Sequence, residues 1–231
     1  MDGIGKKTGE DYNQKMIWEF FLIRKKLENR ISRIFNNNYD KILDIGSGEK
    51  PHYHKSIKGR LICFDIRQMA KTHIVGDADH LPFRKNSFDK IISVNSFYYF
   101  ENPFEVAENM ARILKSNGRL VLVMPFFYPI HDAPYDRYRF SEYGLRTILD
   151  KDFRINRLEA LGGIFTLPSV MFHGLIKGFP LVFPKPLRQT AQIISYLLFP
   201  AYMLLQLLGI FDFLDRTRRV PTYYLVVASK K

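Results

Sequence analysis

The segment that decides the fold is ILDIGSGEKP, residues 42–51. An apolar run that ends at Asp44 is followed by a Gly-x-Gly turn at Gly46 and Gly48. This combination is typical of an open α/β sheet, which binds its ligand outside the carboxyl ends of its strands. A dinucleotide fingerprint requires a third glycine, and here that position is Pro51. No Gly-Lys-Ser/Thr sequence is present, so the segment predicts a ligand site that is neither a dinucleotide fold nor a P-loop.

Residues 41–125 alternate short apolar runs with helical or polar stretches. A helix is predicted over Phe104–Leu114, with Asn102 as its N-cap, Pro103 at its first position and a stop at Asn117–Gly118. Because continuous apolar strands alternate with helices, we expect an α/β fold with a parallel sheet covered on both faces. The strand-like runs are Lys41–Ile45, Arg60–Ile66, His73–Val75, Lys90–Val94 and Arg119–Met124.

The rest of the chain completes this sheet and adds an apolar insertion. A helix is predicted from Ser141 to Leu149, followed by strands at Phe153–Leu161 and Tyr223–Ala228. Between those strands residues 164–214 are largely apolar, and no residue from Gln189 to Phe211 is charged. The four predicted parts are an amphipathic helix in 1–38, an α/β core in 39–163, an apolar helical insertion in 164–221 and the last strand of the sheet in 222–231.

Composition narrows the class of protein. The 231 residues are 46% hydrophobic, which excludes wholesale disorder, and their net charge of +12 indicates an anionic partner. Residues 1–15 lack an apolar core, so no signal peptide is expected. Cys63 is the one cysteine, which excludes an internal disulfide and indicates a reducing cytosol. No metal is expected, because His52 and His54 are two positions apart and have no obvious third ligand.

A cofactor without phosphates does not require the third glycine, and S-adenosylmethionine is such a cofactor. Its ribose needs an acid at the end of the second strand, and Asp65 in LICFDI lies 21 positions after Asp44. Its adenine needs a pocket, and the segment GDADHLPF offers Asp77, with Leu81 and Phe83 to flank the ring. These residues make S-adenosylmethionine the expected cofactor.

The motifs ILDIGSG, FDI, GDADHLPF, NSFDKIISVNS and ENPFEVAENMARILKSNGRLVLVMP occur in this order. Over residues 40–160 the chain thereby resembles the class I S-adenosylmethionine-dependent methyltransferases, especially the quinone-biosynthesis enzymes. The resemblance implies a Rossmann-like, seven-stranded, mostly parallel sheet with helices on both faces, and methyltransferase activity. The cofactor-binding residues that it implies are Asp44, Gly46, Ser47 and Gly48 at the methionine end, Asp65 and Ile66 at the ribose, Asp77 and Ala78 at the adenine, and Asn95 near the open mouth of the site.

Two positions depart from the pattern of the family. Lys50-Pro51 replaces the usual third glycine and resembles a subgroup with a very short first helix. Tyr99-Phe100 replaces the Glu-His pair that is common after the fourth strand of relatives. No catalytic base is therefore carried over to that point.

The loop after the fifth strand, FFYPIHDAPYDRYRF, is the expected acceptor side of the site. Relatives with a short first helix share a similar loop, and this resemblance makes His131 the candidate general base for a hydroxyl acceptor. Tyr135, Asp136 and Arg139 are expected to lie close to the substrate.

The uncharged run at 189–211 meets the length of about 20 residues that a bilayer crossing takes. A single crossing would leave the last strand on the wrong side of the membrane. The sequence therefore predicts a helical hairpin that enters and returns, or helices that lie in the interface. Four prolines favour shallow elements, and flanking cations suit an anionic leaflet. The prolines are Pro168, Pro180, Pro184 and Pro200, and the cations are Lys177, Lys185, Arg188, Arg216, Arg218 and Arg219.

We therefore expect a methyltransferase that is peripheral on the inner, cytoplasmic face of a membrane, with a lipid-like or lipid-linked acceptor such as a glycan intermediate, a quinone or a polar lipid. Three alternatives stay open at this point. The first is a soluble small-molecule methyltransferase that uses 164–214 as a lid or as dimer helices. The second is a nucleic-acid-binding or RNA-modifying protein, against which the sequence shows no basic stripe interleaved with stacking aromatics. The third is a non-catalytic member of the fold.

Overall fold

A computed structural model describes residues 21–49, 51–130 and 132–231. The seven strands of one sheet account for the apolar runs of the sequence. They are β1 Lys41–Ile45, β2 Arg60–Asp65, β3 Ile74–Val75, β4 Phe88–Val94, β5 Leu114–Pro125, β6 Phe153–Leu161 and β7 Tyr223–Lys230. The predicted α/β class with a mostly parallel sheet is confirmed.

The order of the strands is β3-β2-β1-β4-β5-β7-β6. The first five are parallel, and β7 is inserted antiparallel between β5 and β6. From β1 the chain runs outward to β2 and β3, and it then returns to the other side of β1 with β4. This reversal is a topological switch point, where the loops after β1 and β4 diverge and leave room for a ligand.

Helices accompany the sheet. The sheet unit contains α2 Pro103–Ile113 and α3 Glu142–Leu149, and α1 Phe21–Ile34 precedes β1. Both α2 and α3 start at side-chain caps, because Asn102 accepts from the Glu105 N–H and Ser141 accepts from the Gly144 N–H. The predicted N-terminal helix would begin within residues 12–20, which lie outside the described residues.

The predicted end of α2 is wrong. The sequence places a helix stop at Asn117–Gly118, whereas α2 ends at Ile113 and β5 begins at Leu114. Leu114 pairs with Phe88 of β4 and is fully buried in the core, so sheet pairing there outweighs continuation of the helix. The ladder then shifts register, and Asn117 takes a left-handed φ of 62° within this irregular stretch.

The described residues form two compact units. The sheet unit comprises 27–126, 130–161 and 223–231, within the described ranges. The helical unit comprises 21–26, 127–129 and 162–222. Its helices are α4 Leu167–Gly178, α5 Lys185–Leu197 and α6 Phe199–Leu208, with short 3₁₀ turns at Phe179–Val182 and Gly209–Leu214.

The two ends of the helical insertion are tied together. Asp212 accepts hydrogen bonds from the backbone N–H groups of Phe165 and Thr166, at 3.1 Å each, and from the Thr166 hydroxyl. Asp215 accepts from the N–H of Ile164 at 3.1 Å. These bonds fix the turn that leads into α4, which begins at Leu167 without a side-chain cap. The segment therefore leaves and returns at one place, as the strand pairing requires.

Among the described residues, no single helix has the length and apolar character needed to cross a bilayer. One broken pair, Lys185–Leu197 with Phe199–Leu214, meets that criterion by length and composition, and the two halves meet at an angle of 44°.

Candidate cofactor site

The turn after β1 closes tightly against the segment after β4. Gly46 has a φ of 72°, and a Cβ at this position would come 2.3 Å from Cβ of Ser96. The Ser96 hydroxyl bonds the Ile45 carbonyl at 2.8 Å and the Ser93 hydroxyl at 2.6 Å. Glycine is therefore required at position 46 for both its backbone conformation and its lack of a side chain.

Gly48 has a different environment. Its φ is 63°, but a Cβ built there would have no atom within 4 Å. The turn thus presents bare backbone to open space at the carboxyl end of β1. Ser47, between the two glycines, is buried, and its N–H bonds the Phe64 carbonyl at 3.2 Å.

Asp44 is fully buried and is held by two side chains from the short 3₁₀ helix His52–Ser56. The Tyr53 hydroxyl lies 2.9 Å from Oδ2 and 3.1 Å from Oδ1 of Asp44, and Nε2 of His54 lies 2.5 Å from Oδ2. Burial raises the pKa of Asp44, and the hydrogen bond from His54 opposes that rise. The acid predicted for the methionine end is therefore part of a buried Asp–Tyr–His network.

Asp65, at the end of β2, organises the same turn. Its Oδ2 accepts from the Gly48 N–H at 2.9 Å, and its Oδ1 accepts from the Arg67 N–H at 3.0 Å. A carboxylate has about four acceptor positions, so these two bonds leave capacity for a pair of hydroxyl donors. The next residue, Ile66, exposes 46% of its surface beside that carboxylate.

The segment predicted to contact adenine follows β3. Asp77 is exposed and caps the 3₁₀ turn Ala78–His80 by accepting from the Asp79 N–H at 3.0 Å. Ala78 is buried. Phe83 packs edge-on against Phe64 of β2 rather than standing free beside a ring site, because these aromatics belong to the core cluster.

Asn95 follows β4 and has a left-handed φ of 54°. Its N–H bonds the Val123 carbonyl of β5 at 2.8 Å, and its side chain is exposed. Sequence reasoning selected Asn95 and missed Ser96, although Ser96 is the residue that meets the glycine turn. The sequence signal for Ser96 is its place two residues after the end of an apolar strand.

The loop after β5 is fastened to the segment after β4. The Tyr99 hydroxyl donates to Asp132 at 2.5 Å, and Arg137 donates to the Tyr99 carbonyl at 2.5 Å. Arg139 and Asp136 form a two-bond ion pair in which the Asp136 side chain is fully buried. Asp136 and Arg139 are predicted to lie near the substrate, and in the structure they form an ion pair with each other.

Of the other two residues predicted on the acceptor side, Tyr135 is described by the structure and His131 is not. Tyr135 exposes 39% of its surface and is open to a ligand. His131, the predicted general base, lies outside the described residues. Tyr99, for which no role was carried over, is the residue that holds this loop, and burial raises its pKa far above the ordinary value, so its hydroxyl stays a hydrogen-bond donor.

Asp44, His54 and Cys63 present ligand atoms within 4.8 Å of one another, a set that could hold a metal ion. The Asp44–His54 hydrogen bond accounts for the close approach of two of them. Burial raises the pKa of Cys63 to about 11, which favours the thiol over the thiolate that a metal requires. We assign no metal to this group.

The geometry fits S-adenosylmethionine. The open space at Gly48 admits a ligand against the backbone of the turn, and the spare acceptor capacity of Asp65 suits a ribose diol. Ile66 offers an exposed apolar surface beside it, as an adenine ring requires.

Comparison with known proteins agrees. Residues 43–122 match the family described as a methyltransferase domain. The chain is 24% identical over 163 residues to an uncharacterised protein of Methanocaldococcus jannaschii, covering 66% of this chain and 67% of that protein. It is 29% identical over 121 residues to demethylmenaquinone methyltransferase of Thermotoga maritima, covering 46% of this chain and 53% of that enzyme. The chain therefore spans about half the length of this enzyme.

Among solved structures, an S-adenosylmethionine-dependent methyltransferase from Mesorhizobium loti shares the fold, with a TM-score of 0.50 and 16% identity over 86% of this chain and 95% of that chain. At 16% identity this likeness shows the fold alone. The evidence for methyl transfer is the match of residues 43–122 to a methyltransferase domain. Residues 43–122 therefore match a methyltransferase domain, and this match together with the shared fold implies S-adenosylmethionine as the cofactor.

Proposed function

We propose that this methyltransferase works at a membrane surface and methylates a lipid-like or lipid-linked acceptor. The observation that carries the proposal is the distribution of polarity in the helical unit. Its buried residues include six polar side chains, whereas its surface is rich in large aliphatic and aromatic ones. The buried polar residues are Thr166, Ser169, His173, Ser195, Gln206 and Thr222.

The exposed apolar residues occur along all three helices and both 3₁₀ turns of the unit. Val182, Leu197 and Phe213 expose 81%, 73% and 74% of their surface. Water-soluble proteins rarely expose contiguous apolar patches beyond a few hundred Å², and larger ones mark interfaces with proteins or membranes. Further members of this surface are Met171, Leu175, Leu181, Leu187, Ile193, Ile194, Leu204, Leu207, Ile210, Phe211 and Leu214.

A relative supports the acceptor class. The Thermotoga maritima enzyme is named for demethylmenaquinone, a quinone acceptor. We infer an acceptor of similar apolar character for this chain, and a peripheral position on the cytoplasmic face of the membrane, in keeping with a buried free thiol and a reducing compartment.

The proposal assigns roles to the residues around the glycine turn. Asp44, Ser47 and the backbone at Gly46 and Gly48 would hold the methionine end of the cofactor. Asp65 would accept the ribose hydroxyls. The remaining assigned contacts are Ile66, Asp77 and Ala78 at the adenine and Asn95 at the mouth of the site.

Bound S-adenosylmethionine supplies a methyl group on a positively charged sulfur. The chain contributes by holding the acceptor atom in line with it, and such positioning is worth up to about 7–11 kcal/mol. The loop that begins after β5, tied down by Tyr99 and Arg137, gives the acceptor side a fixed wall. Tyr135 would contact the acceptor, with the Asp136–Arg139 pair behind it as the support of the loop.

His131 would take the proton of a hydroxyl acceptor as the methyl group arrives. On this assignment His131→Ala lowers the methyl-transfer rate by about 10²–10⁴ and leaves cofactor affinity unchanged. An unchanged rate would remove the base from the mechanism and indicate an acceptor that needs none.

The proposal is tested by incubating the full chain with methyl-labelled S-adenosylmethionine and a lipid extract, and then separating the lipid and aqueous products. We expect label in the lipid fraction, and none with the Asp65→Ala variant. Label confined to water-soluble products would overturn the lipid acceptor and favour a small-molecule methyltransferase that uses 164–214 as a lid or as dimer helices. Label in added RNA would favour an RNA-modifying enzyme.

A further inference from the structure

The helical unit carries a second regularity besides its apolar surface, namely the position of its charges. Between residues 162 and 222 there are six Lys or Arg residues and two acids, Asp212 and Asp215. Both acids bind backbone N–H groups at the start of the insertion. The cations, by contrast, are exposed at the borders of the apolar helices. They are Lys177, Lys185, Arg188, Arg216, Arg218 and Arg219.

The turn at Asp215 presents three of these cations together. Oδ1 of Asp215 accepts hydrogen bonds from the N–H groups of Thr217 and Arg218, at 3.0 and 3.3 Å, and from the Thr217 hydroxyl at 2.7 Å. Arg218 takes a left-handed φ of 48° there. This carboxylate oxygen thus accepts its hydrogen bonds from within the turn. The side chains of Arg216, Arg218 and Arg219 are exposed.

Taken one at a time, the helices of the unit are too short to cross a bilayer, and the one pair that is long enough together is bent by 44°. At about 1.5 Å per residue, the 12, 13 and 10 residues of α4, α5 and α6 give about 18, 20 and 15 Å, against a hydrocarbon core of about 30 Å. Lys177 is the eleventh residue of α4, so a perpendicular α4 would carry its charge about 16 Å deep, near the bilayer centre. A helix in the plane of the interface keeps Lys177 at headgroup level.

We propose that the helical unit is a monotopic anchor: it embeds in one leaflet without crossing, and its cationic borders select a leaflet of anionic phospholipid. The proposal rests on the membrane association of the proposed function and names its partner. Charge complementarity identifies that partner, because the six exposed cations outnumber the two acids and both acids already accept hydrogen bonds from backbone N–H groups. Basic residues near an anionic leaflet add attraction that falls with salt.

Lipid selectivity is tested by vesicle flotation of the full chain. One set of vesicles is phosphatidylcholine, and the other is an equimolar mixture of phosphatidylcholine and phosphatidylglycerol. We expect binding to the anionic vesicles to weaken with added salt. The triple variant Arg216→Gln, Arg218→Gln, Arg219→Gln should bind them about 100-fold more weakly. The matched control is Arg33→Gln, Arg119→Gln, Arg154→Gln, three exposed arginines of the sheet unit, which should bind as the unmodified chain does.

Depth is tested by cysteine labelling of Gln189→Cys, an exposed position beside Arg188 between α4 and the bend. A monotopic anchor leaves this cysteine reactive to a membrane-impermeant maleimide added outside the vesicles and unreactive to one trapped in the lumen. The unmodified chain is the blank, because Cys63 is buried and its pKa is raised to about 11. Labelling from the lumen would overturn the monotopic anchor in favour of a crossing hairpin.

The two proposals fail separately. Equal binding to both vesicle types, or salt-insensitive binding, would overturn the anionic-leaflet proposal even if label still enters lipid in detergent. Binding to neither type, together with self-association, would assign the apolar surface to a second copy of the chain. Selective binding with no label in any lipid would support the anchor and remove the proposed acceptor.

Discussion

Nε2 of His54 lies 2.5 Å from Oδ2 of Asp44, and both side chains are almost completely withdrawn from solvent. The contact joins the acid at the end of β1 to the short 3₁₀ helix His52–Ser56. Tyr53 shares the same carboxylate. Tyr53 and His54 thus hold the ionisable carboxyl group of Asp44 next to the glycine turn that we assign to the cofactor.

The first prediction concerns the pH dependence of cofactor binding. Burial raises the pKa of Asp44 and the His54 hydrogen bond lowers it, so His54→Ala should raise that pKa further. On our assignment the ionised carboxylate would attract the methionine ammonium, so affinity for S-adenosylmethionine should be lost as pH falls through the pKa of Asp44. The loss should therefore begin at a higher pH in His54→Ala. Titration calorimetry from neutral to acid pH measures this midpoint. Tyr39→Phe, at a tyrosine that is 94% exposed, is the control, and an unmoved midpoint in His54→Ala would contradict the role.

The second prediction separates two roles of Asp65. This carboxylate holds the Gly48 N–H and, on our assignment, the ribose hydroxyls. Asp65→Ala should weaken S-adenosylmethionine binding by about 1.5–3 kcal/mol for each charged hydrogen bond lost. Asp65→Asn keeps one acceptor oxygen and should lose less. Equal affinities in both variants and the unmodified chain would remove the ribose contact.

The third prediction contrasts two arginines of the sheet unit. Arg139 pairs with the fully buried Asp136, whereas Arg146 pairs with Glu142 on the exposed face of α3. Arg139→Gln removes the cation that pairs with a buried carboxylate, and breaking a buried pair typically costs about 3–5 kcal/mol. Arg146→Gln removes a surface pair worth about 0.3–0.5 kcal/mol. Denaturant unfolding of both variants should therefore give a large loss of stability for the first and almost none for the second, and similar losses would contradict the structural role of the Asp136–Arg139 pair.

The fourth prediction tests the apolar surface of the helical unit. Leu204, Leu207 and Leu208 expose 67%, 44% and 39% of their surface, so their replacement by Ser should leave the fold and the cofactor affinity intact. The triple variant should no longer float with vesicles. Val170→Ser is the contrasting variant, because Val170 is fully buried and its loss should lower the melting temperature. Aggregation of the leucine variant together with loss of cofactor binding would assign these side chains to a packed interior.

The sheet and its cofactor class could be predicted from the sequence because their signals are local. A strand that is buried on both faces is a continuous apolar run, and the left-handed backbone of the turn after β1 favours glycine at position 46. The spacing from Asp44 to Asp65 follows from one strand, one connection and the next strand. Such features are written in consecutive residues, so they are readable without the fold.

Tertiary structure alone decided which groups meet. His54 and Asp44 come together only because the chain folds back after Pro51, and Ser96 meets Gly46 only because β4 pairs beside β1. Asp136 and Arg139 read as substrate ligands in the sequence, yet packing pairs them with each other. The hydrogen bonds of Asp212 and Asp215 to the backbone of residues 164–166 are likewise invisible in a charge count. Side-chain partners depend on strand order and packing, which join residues far apart in the chain, whereas periodicity and turn chemistry depend on near neighbours.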